Sequence, residues 1–304
     1  MALPVLGHVA HRPFRHTFKA REPPVFGLPG QWIGTLREVA RAIRAELLEL
    51  SSSLERPRRA AEAEEVGKRA DELVTSVLLK ELHARDVACT LVCEDLGVMR
   101  LGPSGGEGPY LLVDPLDGTR NFARGLPVAS ISMAVCSGPD LRGLREALVL
   151  EVFSGREFWA ISGEGAFSGQ KRLSVSGTAD LSKALVSVDK SRLSGEPEWV
   201  SVVASSVGAT RQLGSAALEL CFLASGITDA HVDLRGRIRP TDVAAGLLIA
   251  LEAGASVWLR GKLRLGGALD TRERLFIIAS SPGLFGVLME LLKPYLGVGL
   301  TLGR

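Results

Sequence analysis

The sequence predicts an α+β protein of two lobes, an N-terminal lobe on an antiparallel sheet (residues 31–180) and a C-terminal α/β lobe (181–304). Three observations predict this: two helix-period segments before residue 85, a glycine-broken series of short β-like runs from 110 to 175, and strand–helix alternation beyond 180. With 304 residues the chain is long enough for one large domain or two that share an interface.

Residues 1–30 stand apart. They hold three of the five histidines and five prolines, with no acid before Glu22, and read as an N-terminal extension. From Gln31 to Ser51 the apolar positions Ile33, Leu36, Val39, Ala40, Ile43, Leu47 and Leu50 fall on one helical face. The charged stretch Glu55–Arg69 carries Pro57 and Gly67 and predicts a loop, which by its charge would close over a bound cation. A second helix follows over Ala70–Ala84, with Leu73, Val77 and Leu78 apolar. Strands are expected at Val87–Cys93 and Tyr110–Val113, joined by a Gly/Pro-rich excursion, then at Ser130–Cys136, Ala147–Val152, Glu157–Ile161 and Arg172–Val175. In the second half, strands at Leu185–Val188, Ala230–Leu234 and Leu275–Ala279 alternate with helices at Ser215–Ser225 and Val243–Ala253, the latter stopped by Gly254. Ser281-Pro282 opens a last helix.

Composition excludes several classes. Thirty-six basic against thirty-four acidic residues give no basic face for a nucleic acid. No apolar segment is long enough to span a membrane: Val243–Leu251 stops at Glu252, and Leu284–Leu296 contains Glu290, Lys293 and Pro294. Four cysteines in a chain this long do not make a disulfide framework, and a reducing, cytoplasmic setting is expected. Cys89 and Cys93, four strand steps apart, would be separated by about 13 Å, too far for a disulfide.

The chemistry is expected at Asp114-Pro115-Leu116-Asp117-Gly118-Thr119. Asp114 leaves the apolar run Leu111-Leu112-Val113, Pro115 ends the ladder for want of an N–H, and Asp117 returns a second carboxylate to the same place. Two carboxylates at about 4 Å repel by roughly 4 kcal/mol at an effective dielectric near 20, so a cation must offset them. Hard oxygen ligands point to magnesium or manganese. The plain alternative is an Asx turn. Glu94 ends the preceding strand in the same manner, and Asp242 opens a helix, where a carboxylate is ordinarily a cap.

These segments resemble the inositol monophosphatase family. Asp114–Thr119 is similar to its first signature, and Asp242-Val243-Ala244-Ala245-Gly246 running to Gly254 to its second. Gly214-Ser215-Ala216-Ala217-Leu218 and the hairpin Gly163-Glu164-Gly165-Ala166-Phe167 match further stretches. The approach from Arg237 to Asp242 resembles the archaeal branch with dual inositol monophosphatase and fructose-1,6-bisphosphatase activity. Thr241, Cys93 and Ser168 depart from the family pattern without removing a metal ligand.

The resemblance implies an αβαβα layered sandwich of the sugar phosphatase type and a magnesium-dependent phosphatase of small phosphorylated polyols or sugars. It implies two to three Mg2+ per site, with Mn2+ a substitute, and a homodimer. Glu94, Asp114 and the Leu116 carbonyl would hold one ion, and Asp114, Asp117 and Asp242 a second, with a third near Glu94. Asp71 and Thr119 would position the attacking water, and the Gly118 and Thr119 amides would hold phosphate oxygens. Asp233, Ser215, Arg211, Arg235 and Lys190 are the expected substrate contacts, with Arg237 and Arg239 as further partners for a second phosphate. A haloacid dehalogenase phosphatase is disfavoured because two residues, not one, separate the acids. A 3′-phosphoadenosine 5′-phosphate or NADP phosphatase on the same fold, and a non-catalytic ligand-binding regulator, remain as alternatives.

Overall fold

The structure is a computed structural model and describes residues 30–55, 57–102, 108–261 and 274–303. The expected N-terminal extension, apart from Gly30, and most of the excursion after Gly102 lie outside the described residues. Helices α1 (Gln31–Ser53) and α2 (Ala60–Ala84) come first. The first sheet follows, from β1 (Cys89–Cys93), β2 (Gly97–Leu101), β3 (Tyr110–Asp117), β4 (Ser130–Cys136), β5 (Leu144–Glu151), β6 (Glu157–Ile161), β7 (Gly165–Ser168) and β8 (Lys171–Arg172), with the short helix α3 (Thr119–Ala123) between β3 and β4. The second sheet holds β9 (Leu185–Val188), β10 (Ala209–Arg211), β11 (Ala230–Ile238), β12 (Ser256–Arg260), β13 (Leu275–Ser280) and β14 (Leu300–Leu302). Helices α4 (Glu198–Ser206), α5 (Ala216–Ala224), α6 (Pro240–Glu252) and α7 (Pro282–Leu292) interleave with it.

The spatial orders are β2-β1-β3-β4-β5-β6-β7-β8 and β10-β9-β11-β13-β12-β14. Only β1 and β3 pair in parallel in the first sheet; the second is mixed. Three apolar clusters stack the layers. α1 and α2 lie on one face of the first sheet through Leu36, Ile43, Val74 and Leu78. α5 and α6 fill the space between the two sheets through Leu218, Leu220, Val243 and Ile249. α4 and α7 cover the far face of the second sheet through Val200, Val203, Leu284 and Leu288. The result is an α/β/α/β/α sandwich, as the family resemblance implied.

Two expectations are corrected. Only the start of Glu55–Arg69 lies outside a helix, because α2 already begins at Ala60. Ala60-Ala61-Glu62-Ala63 is a strong helix former, Pro57 precedes the helix, and Glu62 Oε2 accepts the amides of Arg58 and Arg59 at 2.8 and 3.1 Å. The closing loop expected there is therefore a helix. Gly67, in its interior, is explained by proximity: a Cβ there would lie 3.1 Å from Thr119 Cγ2.

The second correction concerns Pro115, which does not end β3. The strand continues to Asp117 with a shift of register, Asp114 pairing with Ser132 and Asp117 with Ser130. One extra residue on β3 makes a bulge, and the proline sits where no ladder hydrogen bond is needed. The bulge matters for the site. Residues three apart in a regular strand face opposite ways, but here both acids oppose Ser130 and Ser132, which share a face.

Elsewhere the segments β2, β10, β12, β14 and α4 had no expectation, and β8 (Lys171–Arg172) shares only Arg172 with the strand expected at Arg172–Val175. All four cysteines are free and buried, and no described helix is long and apolar enough to cross a membrane.

Candidate active site

The site lies in a cleft of about 540 Å3 where the C-terminal ends of β1 and β3 meet the N-terminal ends of α5 and α6. Glu94 follows β1, Asp114 lies in the β3 bulge, and Asp242 sits in the first turn of α6. Each offers one oxygen to a group whose members lie within 4.8 Å of one another. Asp117 lines the same cleft. Its Oδ2 accepts the Ser215 hydroxyl at 2.7 Å and the Ala217 amide at 2.9 Å. Asp117 thus caps α5 from another element, since Ser215, the N-cap residue, makes no side-chain cap bond of its own.

Burial and mutual repulsion shape the charges. Burial first, then the charges of Asp117 and Asp242, hold the Asp114 carboxyl well above the ordinary range. Asp117 is pushed up to about 7 by burial, against the pull of its bonds to Ser215 and Ala217. Asp242 is raised by burial, with its bonds to the Arg239 amide and the Thr241 hydroxyl opposing. Acids gathered in this way, with raised pKa values and no full counter-charge, make a floor able to hold a cation. The donors are carboxylates with the Leu116 carbonyl beside them, with no thiol or imidazole in the group. That set fits a hard divalent cation.

Beside the floor, the Thr119 hydroxyl lies 3.1 Å from Asp71 Oδ1 and 3.0 Å from the Leu116 carbonyl, able to donate to either. Asp71, from α2, is raised to about 6 by burial and by Asp95, with the Thr119 bond opposing. Gly118 has φ +93°, and a Cβ there would sit 2.8 Å from the Val128 carbonyl oxygen. No other residue fits that turn.

The expected substrate contacts divide. Arg235, Arg237 and Arg239 line the cleft; Lys190, Arg211, Asp233 and the fully buried Ser215 do not. Lys190 is exposed and pairs with Glu196 at 3.1 Å, and Arg211 is exposed on the short strand β10. Arg235 is fully engaged by the protein. Its Nε donates to Asp233, its Nη1 to the Ser191 carbonyl and hydroxyl, and its Nη2 to Asp233 and to Asp189 Oδ2 at 2.7 Å. With every N–H so directed, Arg235 braces the cleft wall and has no donor left for a second phosphate. Arg239 pairs with Glu94. Among the described residues, the exposed Arg120, Arg192 and Arg237 line the cleft without a protein partner.

Sequence reasoning missed Asp189, Glu219, Asn121, Arg120 and Arg192. Asp189 directly follows the apolar strand β9, the same signal that marked Asp114. Glu219 is the one acid in the otherwise apolar helix α5, which marks a buried partner. Arg192 carries no local sign.

A five-layered sandwich whose cleft gathers carboxylates from a strand end, a bulge and a helix start is a scaffold able to hold a divalent cation. The chain belongs to the inositol monophosphatase family, whose model matches residues 32–293. It is 35% identical over 228 residues to the fructose-1,6-bisphosphatase of Pyrococcus furiosus, covering 74% of this chain and 83% of that one. It is 34% identical over 198 residues to a fructose-1,6-bisphosphatase/inositol-1-monophosphatase of Methanothermobacter thermautotrophicus, covering 63% and 70%. Among solved structures, the extragenic suppressor from Pyrococcus furiosus superposes with a TM-score of 0.66 at 30% identity, over 86% of this chain and all of that one.

Proposed function

We propose that the protein is a magnesium-dependent phosphatase of small phosphorylated polyols or sugars, with inositol 1-phosphate and fructose 1,6-bisphosphate as the leading substrates. The observation that carries this is the convergence of Glu94, Asp114 and Asp242 within 4.8 Å, next to an Asp71–Thr119 pair and a wall of arginines. Glu94, Asp114, the Leu116 carbonyl, Asp117 and Asp242 would hold two to three Mg2+, or Mn2+ in their place. Such ions acidify a water and balance charge on the attacking and leaving oxygens.

The chain's own residues do the rest. Thr119 holds the attacking water by its hydroxyl, and Asp71, raised toward neutrality, accepts the proton. Glu94 shares in orienting that water. The amides of Gly118 and Thr119 hold the phosphate. Arg192 and Arg237, free of protein partners among the described residues, take a second phosphate or other anionic group at the mouth. The described lining contains no aromatic side chain, so a stacked adenine of a nucleotide substrate has no platform there. The free, buried cysteines favour a cytoplasmic setting, and the family resemblance favours a homodimer.

The test is phosphate release with magnesium from inositol 1-phosphate, fructose 1,6-bisphosphate, 3′-phosphoadenosine 5′-phosphate and NADP. Turnover of the first two above the nucleotides supports the assignment. Preference for a nucleotide overturns the substrate class, and no magnesium-dependent release from any of them overturns the enzyme.

A further inference from the structure

Glu219 is fully buried on α5 and has no place in the chemistry above. Its Oε1 accepts the Leu213 amide at 2.8 Å. The Leu213 carbonyl in turn accepts Asn121 Nδ2 at 2.7 Å, and the same nitrogen donates to the Val128 carbonyl at 2.8 Å. The turn from Leu213 through Gly214, whose φ is +78°, is therefore held from both sides. It ends in Ser215, whose hydroxyl lies 2.7 Å from Asp117 Oδ2 and 3.2 Å from the Ser130 hydroxyl.

The second oxygen of Glu219 has no hydrogen-bond partner, and neither has Nε2 of the fully buried His231, whose Nδ1 lies 3.5 Å from that oxygen. His231 Nδ1 lies 2.8 Å from the Ser187 hydroxyl. A buried carboxyl is costly where an apolar side chain would fill the same space, and α5 is otherwise apolar. A positional duty accounts for its presence.

We infer that Glu219 is a positioning residue for the cation floor: it fixes the Leu213–Ser215 turn, and that turn fixes the carboxylate of Asp117. The inference rests on Asp117 being a cation ligand. Burial pushes Glu219 up to about 8, so near neutrality it carries a proton on one oxygen and accepts on the other. Glutamine reproduces that pattern, with a carbonyl toward Leu213 and an NH2 toward His231. Methionine fills the volume and reproduces neither.

The experiment is a direct titration of Mn2+ into the full chain, followed by electron paramagnetic resonance, with magnesium-dependent kcat and KM measured in parallel. Glu219→Met is expected to weaken the Asp117-dependent ion by about 10- to 100-fold, as loss of a ligand's supporting hydrogen bond does. Glu219→Gln should stay within about twofold of wild type. In Glu219→Met, kcat at fixed magnesium should fall while KM stays within about twofold. Should Glu219→Met fail to fold, Glu219→Asp, too short to reach Leu213, is expected to show the same weakening. Asp117→Asn is the control. If it leaves Mn2+ binding unchanged, the ligand assignment falls; if it weakens binding while Glu219→Met and Glu219→Asp do not, the positioning role falls. Equal loss in the Gln and Met variants also overturns it.

Discussion

Replacing Asp117 by asparagine should stabilise the cation-free protein. An acid whose folded pKa lies above its unfolded value lowers stability on ionising. The cost is absent below the unfolded value and complete above the folded one. For Asp117 these values are 3.8 and about 7, so stability falls as pH rises through that window. At about 1.4 kcal/mol per pH unit the full cost is about 4 kcal/mol, and the part acquired between pH 5 and pH 8 is about 2–3 kcal/mol. Asparagine keeps an oxygen to accept the Ser215 hydroxyl and the Ala217 amide and carries no charge. The assay is urea unfolding in chelator at the two pH values, repeated with magnesium. The Asn variant should be the more stable at pH 8, by a margin that shrinks toward pH 5. Magnesium should raise the wild type more than the variant. An Asn variant less stable than wild type at pH 8, or a margin that does not change with pH, would refute the charge argument.

Three further outcomes follow from the site. Asp71→Asn should lower kcat/KM by about 10²–10⁴, and wild-type activity should fall as pH drops through about 6, where Asp71 takes up its proton; a pH–rate profile shows both. Gly67→Ala should leave thermal stability equal or higher by up to about 1 kcal/mol, yet lower kcat several-fold, because the new methyl would press on Thr119 at 3.1 Å. Arg192→Ala and Arg237→Ala should each raise KM for fructose 1,6-bisphosphate about tenfold, the loss of one charge-assisted bond, and leave KM for inositol 1-phosphate within about twofold. Equal effects on both substrates would remove these residues from second-phosphate recognition.

The long elements were legible because their apolar period was uninterrupted: α1 buries the stripe read from Ile33 to Leu47, and β4 and β6 match their expected bounds. The acids of the cleft floor were gathered by the family resemblance: on position alone Asp242 read as a helix cap and Glu94 as a strand end, and the structure brings both within 4.8 Å of Asp114. What failed did so for local reasons. Gly67 read as a helix breaker, and only the tertiary approach of Thr119 shows why a glycine sits inside α2. Pro115 read as a strand end, and only the pairing of β3 with β4 shows a bulge. The fate of the arginines was not legible at all. Arg235 and Arg237 are near-identical in sequence context, and what separates them is the presence of Asp189, Ser191 and Asp233 around one of them. Such an enclosure is assembled from β9, its following loop and β11, and leaves no periodic trace.

The fold must also tolerate the carboxylates gathered in the cleft. Asp114 and Asp117 are buried, Asp242 is half-buried, and the three repel one another, a burden of several kcal/mol against the 5–15 kcal/mol by which proteins are ordinarily stable. None of the three is held by packing alone. Asp114 accepts the Leu116 amide at 3.1 Å within its own bulge. Asp117 sits on the start of α5, and Asp242 accepts the Arg239 amide at 2.9 Å at the start of α6. Backbone N–H groups that a helix start or a bulge leaves unpaired thus satisfy carboxylate oxygens before any cation arrives. α5 and α6 lie between the two sheets, in the largest apolar cluster. The helices whose starts receive these carboxylates are therefore buried between the sheets, which lets the floor hold its geometry while its charges push it apart.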